Sequence, residues 1–309
     1  MKNIFINSEE NQLRAGWRIL LFIIIFWPLA AVILLVKPLI GDMTKQEFLS
    51  GYSLLIIINL ALAASIAVWI ARRYIDKKTW VSLGLIWNRD ARKDLGFGFL
   101  LSGLMAGAIL LIMSAIGVVD VTGINWTGGF ILQDTLPSTL AVMGITTMGI
   151  LLLEMILVGY WEELVFRGYI FQNMARGLGM IVSIIISCLI YGIIHHSNPN
   201  ASLLSSVIIV LFGFLRLYGY LSTGQLWLSM GMHIGWNFFQ GPIFGFAASG
   251  HQKATLIEHT KVGQPWLHGG DFGPEASLIT VPIVLAALLT MRWWAKGRPA
   301  IPIKSAPAD

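Results

Sequence analysis

The sequence is short of charge, of acid and of cysteine. Only 12% of its 309 residues are Asp, Glu, Lys or Arg, about half the share of an ordinary soluble domain. That excludes a soluble enzyme and a disordered chain, since neither can expose so little charge. The single cysteine, Cys188, sits inside an apolar run. It excludes an intrachain disulfide and any metal site built from paired cysteines, and is read as a small packing residue. No His-Glu-x-x-His helix occurs, no internal repeat is visible, and no inverted half-repeat of the transporter kind is found. What is abundant is apolar surface: 56% of residues are hydrophobic. The net charge of +5 is therefore read as membrane topology, with no nucleic-acid partner.

Apolar runs of about 20 residues mark membrane spans. Eight are expected, near 17–40, 49–71, 95–118, 137–173, 178–196, 201–222, 225–247 and 277–295. The first is longer than the apolar region of a signal peptide and is read as a retained span. The fold class expected is all-α, a polytopic membrane protein of about eight transmembrane helices with an intramembrane catalytic cavity. Of the 21 lysines and arginines, 17 fall on one side of that topology. The positive-inside bias then puts both termini in the cytoplasm, which an even number of spans requires. The chain divides into an N-terminal segment 1–15, helices 1–3 over 16–136 with a basic loop at 72–94, and a core of helices 4–7 over 137–247. An outer loop at 248–276, helix 8 at 277–295 and a proline-rich tail at 296–309 complete it. The tail is read as too rich in proline to pack. Localisation follows as integral and multi-pass.

Ionisable groups inside a span are costly, and each is a functional candidate. Helix 4 carries Glu154, Glu162, Glu163 and Arg167. Helix 5 ends on Tyr191, His195 and His196. Helix 7 carries His233, Trp236, Asn237 and Gln240. Residues four apart share a helix face. Glu163 and Arg167 are so placed, with Glu first, and are expected to neutralise each other. Glu162 then points elsewhere and is left as the reactive carboxylate. Tyr191 and His195 share one face, and His233, Trp236, Asn237 and Gln240 share another. Burial raises a carboxyl pKa and a nearby cation lowers it, and the balance can poise Glu162 to take a proton from water. A histidine can relay that proton, and a second histidine with an amide can donate to an oxyanion. Trp236, Gln240, Tyr191 and Glu154 are the candidates for lining a substrate groove. Arg216 is expected to snorkel to the cytoplasmic interface. His251, His259 and His268 are expected to be solvated in the outer loop.

One difficulty of depth is visible in the sequence. A straight fifth helix starting at 178 puts His195 about 25 Å from its start, whereas Glu162 counted back from residue 172 is about 15 Å from that end. The two meet only if a helix tilts or the Gly177–Gly179 turn lies deep or far out.

The order Glu162-Glu163-x-x-x-Arg167, Tyr191-x-x-x-His195, His233-x-x-x-Asn237 resembles the CPBP family of intramembrane proteases, also called the ABI or CAAX amino-terminal protease family. Its members include type II CAAX prenyl endopeptidases and bacterial bacteriocin-processing and immunity-associated relatives. The resemblance covers about 137–246, and FRGYIFQ, TGQLWLSMGMHIGWNFFQG and FGPEASL look like its bacterial branch, which implies a bacterial plasma membrane. One departure is Tyr191, where the family usually has Phe. The resemblance implies peptide-bond hydrolysis in the bilayer of a membrane-associated peptide or protein. Glu162 and His195 would activate water, His233 and Asn237 would form an oxyanion site, and Glu163 with Arg167 would support them. Relatives have been described as metalloproteases, which would make Glu162, His195 and His233 zinc ligands. The absence of a His-Glu-x-x-His helix and the presence of Asn237 favour catalysis with no metal cofactor. The competing readings are a non-enzymatic membrane scaffold or bacteriocin-immunity protein and a proton-coupled transporter.

Overall fold

A computed structural model describes residues 4–7, 12–35, 53–125 and 144–298 of the chain. Parts of several expected elements lie outside the described residues: 1–3 and 8–11 of the N-terminal segment, the ends of the first span at 36–40 and of the second at 49–52, the start of the fourth at 137–143, and the tail beyond 298.

The protein is an all-α polytopic membrane protein. Its helices are α1 (Ala15–Ala31), α2 (Ser53–Ile70), α3 (Arg89–Ala115), α4 (Gly144–Glu163), α5 (Phe171–Leu178), α6 (Met180–His195), α7 (Leu203–Thr223), α8 (Trp227–Phe238) and α9 (Thr280–Trp294). Four described helical segments are long and apolar enough to cross a bilayer by length and composition: Ala15–Leu35, Ser53–Ile75, Arg89–Ala115 and Leu203–Thr223. Met180–His195 and Thr280–Trp294 are apolar but shorter. By length and composition the described residues hold four such spans and two shorter apolar helices, so the expected count of eight is not reached among them. Wide π-turns occupy Leu164–Ile170 and Phe239–Ile243. In the second, Pro242 lacks the N–H that a regular helix would need.

Local chemistry sets several ends. Asn88 caps α3, its Oδ1 accepting from the Ala91 N–H at 2.8 Å. This cap starts the helix at Arg89, six residues before the expected 95, so the basic loop is shorter than read. Ser202 and Ser205 close a reciprocal capping box on α7. Two small antiparallel ribbons accompany the helices: β1 (Ile6–Asn7) with β2 (Gln12–Leu13), and β3 (Val119–Ile124) with β4 (Ile257–Lys261). The second ribbon ties the segment after α3 to the expected outer loop.

The central element is α8, which packs on α3, α4 and α7. Its approach to α3 is backbone to backbone. A Cβ on Gly231 would lie 2.2 Å from the Leu95 carbonyl oxygen, and one on Gly235 2.5 Å from that of Phe99. The spacing is small-xxx-small, which lets membrane helices close on each other where apolar burial gives little drive. Large apolar side chains such as Leu104, Leu111, Ile193 and Leu289 face outward and are exposed, as a surface turned to lipid requires. Cys188 is buried, as a packing residue should be.

Candidate functional site

Glu162 and Glu163 close α4 next to each other, about 100° apart round the helix. That angle gives them different surroundings. The Glu163 side chain is 0% exposed, and every hydrogen bond it accepts is accounted for by close donors. Arg167 Nη1 donates to Oε1 at 3.1 Å and Ser229 Oγ to Oε2 at 3.0 Å. His233 Nδ1 reaches Oε1 at 2.8 Å. A carboxylate only accepts, so Nδ1 carries the hydrogen and the second nitrogen, Nε2, is free to act elsewhere. Arg167 is itself fixed. Its guanidinium lies 4.3 Å over the Tyr191 ring, and Nη2 donates to the Gly213 carbonyl at 3.4 Å. The expected Glu163–Arg167 pair is thus present, and Glu163 is a structural anion that orients His233.

Glu162 stands apart from that cluster and its side chain is 14% exposed. Tyr191 Oη donates to its Oε2 at 3.1 Å, and His233 Nε2 lies 3.8 Å from the same oxygen. One water at ordinary hydrogen-bond distance, about 2.8 Å, can touch both atoms across that gap. Behind the tyrosine, Arg216 donates from Nη1 to Tyr191 Oη. A chain Arg216–Tyr191–Glu162 therefore positions the exposed carboxylate. His195 sits with its ring 4.3 Å from that of Tyr191. Its Nδ1 donates to the Tyr191 carbonyl at 2.8 Å, which leaves Nε2 uncommitted. Among the described residues no hydrogen bond joins His195 to Glu162; Tyr191 stands between them. His196 turns away to Ser206 Oγ at 2.8 Å. Asn237 follows His233 by one turn, half-buried, with no hydrogen-bond partner among the described residues.

The depth difficulty is resolved by where the turn lies. The helical path from α4 continues through the π-turn and α5 to Leu178, and the chain reverses at Gly179 with φ +78°. Glu162 and His195 then lie almost equally far from the turn, about 25 Å and 24 Å along their helices. Counting Glu162 from residue 172 placed the turn too early.

Several expectations need correction. Arg216 does not reach for the interface: it is 2% exposed and belongs to the Tyr191 cluster. An arginine in mid-span, in LFGFLRLYGYL, was the signal for this. Trp236 does not line a groove. It is 1% exposed, and its Nε1 donates to Glu275 Oε1 at 2.8 Å. Glu275 is a buried carboxylate that the sequence reading passed over, and it also accepts from Ser249 N at 2.8 Å and Ser249 Oγ at 2.6 Å. Gln240 is fully buried, and neither amide atom has a partner among the described residues. Tyr191 is a bridge between side chains and not a groove wall. Glu154 is tied to Ser53 Oγ at 2.5 Å and Lys253 Nζ at 2.9 Å, so it anchors the loop to the bundle. His268 is buried, accepting from the Gly270 N–H at 3.1 Å, and His259 is half-buried against Phe246; neither is solvated. The tail begins packed: Arg298 Nη1 pairs with Asp94 Oδ1.

Comparison with known proteins follows the same segment. Residues 144–239 match the family described as type II CAAX prenyl endopeptidase Rce1-like. Over 180 residues the chain is 26% identical to the uncharacterized protein YyaK of Bacillus subtilis (strain 168), covering 56% of this chain and 54% of that protein. The chain thus spans about half the length of the curated relative it matches. The matched segment holds Glu162, Glu163, Arg167, Tyr191, His195, Arg216, Ser229, His233 and Asn237, so over that part the protein is CAAX-protease-like, with a buried histidine–glutamate pair at its centre.

Proposed function

We propose that the protein is an intramembrane endopeptidase, similar to type II CAAX prenyl endopeptidases, that hydrolyses a peptide bond of a membrane-associated substrate. The observation that carries the reading is His233 held between two unlike glutamates, one buried and saturated, the other open and 3.8 Å from Nε2.

In this reaction a water beside Glu162 Oε2 gives a proton to that carboxylate, and the hydroxide adds to the substrate carbonyl carbon. The negative charge that develops on the carbonyl oxygen is stabilised by two hydrogen-bond donors. These are the Asn237 amide and His233 Nε2, which takes its proton from bulk water before the substrate binds, with Glu163 stabilising the imidazolium through Nδ1. The C–N bond breaks as the proton held on Glu162 passes to the leaving amine. His195, beside Tyr191, relays protons between the site and water. Glu163 and Arg167 position the machinery without touching substrate. The products are a carboxylate and an amine, and no redox partner is needed.

Catalysis without a metal is part of the proposal. It rests on Asn237, whose amide suits an oxyanion donor better than a metal ligand; the Nδ1 bonds of His233 and His195 leave both Nε2 atoms open, as those of metal-ligating histidines are. Zinc held by Glu162, His195 and His233 is the alternative. Exhaustive chelation of the purified protein should leave cleavage of a farnesylated CAAX peptide unchanged; loss restored by added zinc would overturn this part. The reading places the chain as a multi-pass protein of a bacterial plasma membrane, both termini cytoplasmic, with residues 137–247 as its catalytic core. Comparison of membrane-associated peptide termini between wild type and Glu162→Gln tests the function without assuming a substrate. Termini that vanish in the variant support hydrolysis. Unchanged termini with full biological effect would instead favour a scaffold or immunity role.

A further inference from the structure

A second built feature lies at the C-terminal end of α2, outside the Glu162 cluster. A cavity of about 220 Å³ is lined there by four cations, Arg72, Arg73, Lys77 and Lys78, between the indoles of Trp69 and Trp80. Among the described residues no carboxylate lines it. Arg72 is 1% exposed. Its Nη1 is held by Asp76 at 3.0 Å and its Nη2 by Ser82, but its Nε has no hydrogen-bond partner among the described residues. The π-turn Ala71–Ile75 and the left-handed backbone of Lys77, φ +54°, bend the chain round this cavity. A non-glycine residue adopts that conformation only where the surroundings enforce it.

The cavity does not end at the charges. A second hollow of about 280 Å³, lined by Ser65 and Ile66, shares Trp69 and Trp80 with it. Residues 65, 66, 69, 72 and 73 form one stripe along the end of α2 and the π-turn that continues it. That stripe changes from apolar to cationic at its end, with tryptophan at the change, the position indoles take at a membrane interface.

We propose that this feature is a binding site for one anionic phospholipid, its phosphate among the four cations and an acyl chain along the Ser65–Ile66 hollow. Asp76 already neutralises Arg72, and the exposed cations Arg73 and Lys77 remain to face an acidic headgroup. A free anion would leave the adjoining apolar hollow unused. Clustered basic residues next to a span bind acidic headgroups through the same electrostatics.

The test uses full-length protein in detergent, stripped of lipid and titrated with phosphatidylglycerol, with bound molecules counted by native mass spectrometry. Wild type should retain one phosphatidylglycerol in preference to phosphatidylcholine. Arg73→Gln with Lys77→Gln should weaken retention about 30-fold, since each basic residue near an acidic headgroup is worth about a factor of five. Arg73 and Lys77 are exposed, so folding should survive, and Arg73→Lys should restore most of the affinity. Arg89→Gln with Arg92→Gln removes the same charge outside the lining and should change nothing beyond twofold. Equal retention of the two lipids, or equal loss in both double variants, would overturn the proposal. Displacement by inorganic phosphate at the lipid's own concentration would make it a free-anion site. Displacement by a farnesylated peptide with a free C-terminus would make it a substrate site. Either would refute the lipid assignment.

Discussion

Glu162→Gln and Glu163→Gln are the same chemical change at adjacent positions, and the two environments predict opposite outcomes. Glu163 accepts from Arg167, Ser229 and His233 and is 0% exposed. Neutralising it leaves Arg167 a buried cation without its counter-ion. Breaking a buried pair by removing one partner costs about 3–5 kcal/mol. Glu162 has one neutral hydrogen bond, from Tyr191, which the amide oxygen of glutamine can still accept. Its loss should cost no more than about 1 kcal/mol. Activity should follow the reverse order of cause. Glu162→Gln removes the proton acceptor and should lower the rate by about 10²–10⁴ in a protein that melts almost like wild type. Glu163→Gln should melt many degrees lower and lose activity as a consequence. The assay is thermal unfolding in detergent beside cleavage of a quenched farnesylated peptide in proteoliposomes. A Glu162→Gln protein that cleaves normally would refute the reasoning, as would a Glu163→Gln protein as stable as wild type.

Other perturbations test the rest of the site. Arg216→Met removes the donor behind Tyr191, whose partner is a neutral hydroxyl, so the rate should fall about tenfold or more with a smaller stability loss than Glu163→Gln; a purely structural arginine would show the opposite ratio. Gly235→Val must push a side chain into the Phe99 carbonyl and should cost at least about 1–3 kcal/mol, whereas Gly96→Ala, with nothing within 4 Å, should express and melt normally. Trp236→Phe keeps most of the packing against Phe212 but leaves Glu275 short of one donor, for a loss of about 1–3 kcal/mol in unfolding measurements.

The sequence alone indicated the solvent, the helical class and the unlike surroundings of two neighbouring glutamates. Those follow from composition and from a 100° step, which act locally and need no partner. Helical spacing also paired Glu163 with Arg167 and set Tyr191 beside His195. Spacing could not say which helix lies opposite which. Arg216, Ser229 and Glu275 entered the polar network because α7 packs on α6, α8 on α4 and the loop before α9 on α8, and no periodicity within one helix encodes that. Trp236 shared the His233 face by count yet was claimed by Glu275, because a buried indole N–H takes whatever acceptor the packing brings to it. The depth of His195 against Glu162 was decided by a reversal at Gly179 and a π-turn that carries the helix on to it. Faces are a property of one helix and can be read from its residues; convergence is a property of several, and was fixed by backbones that meet where only glycine lets them.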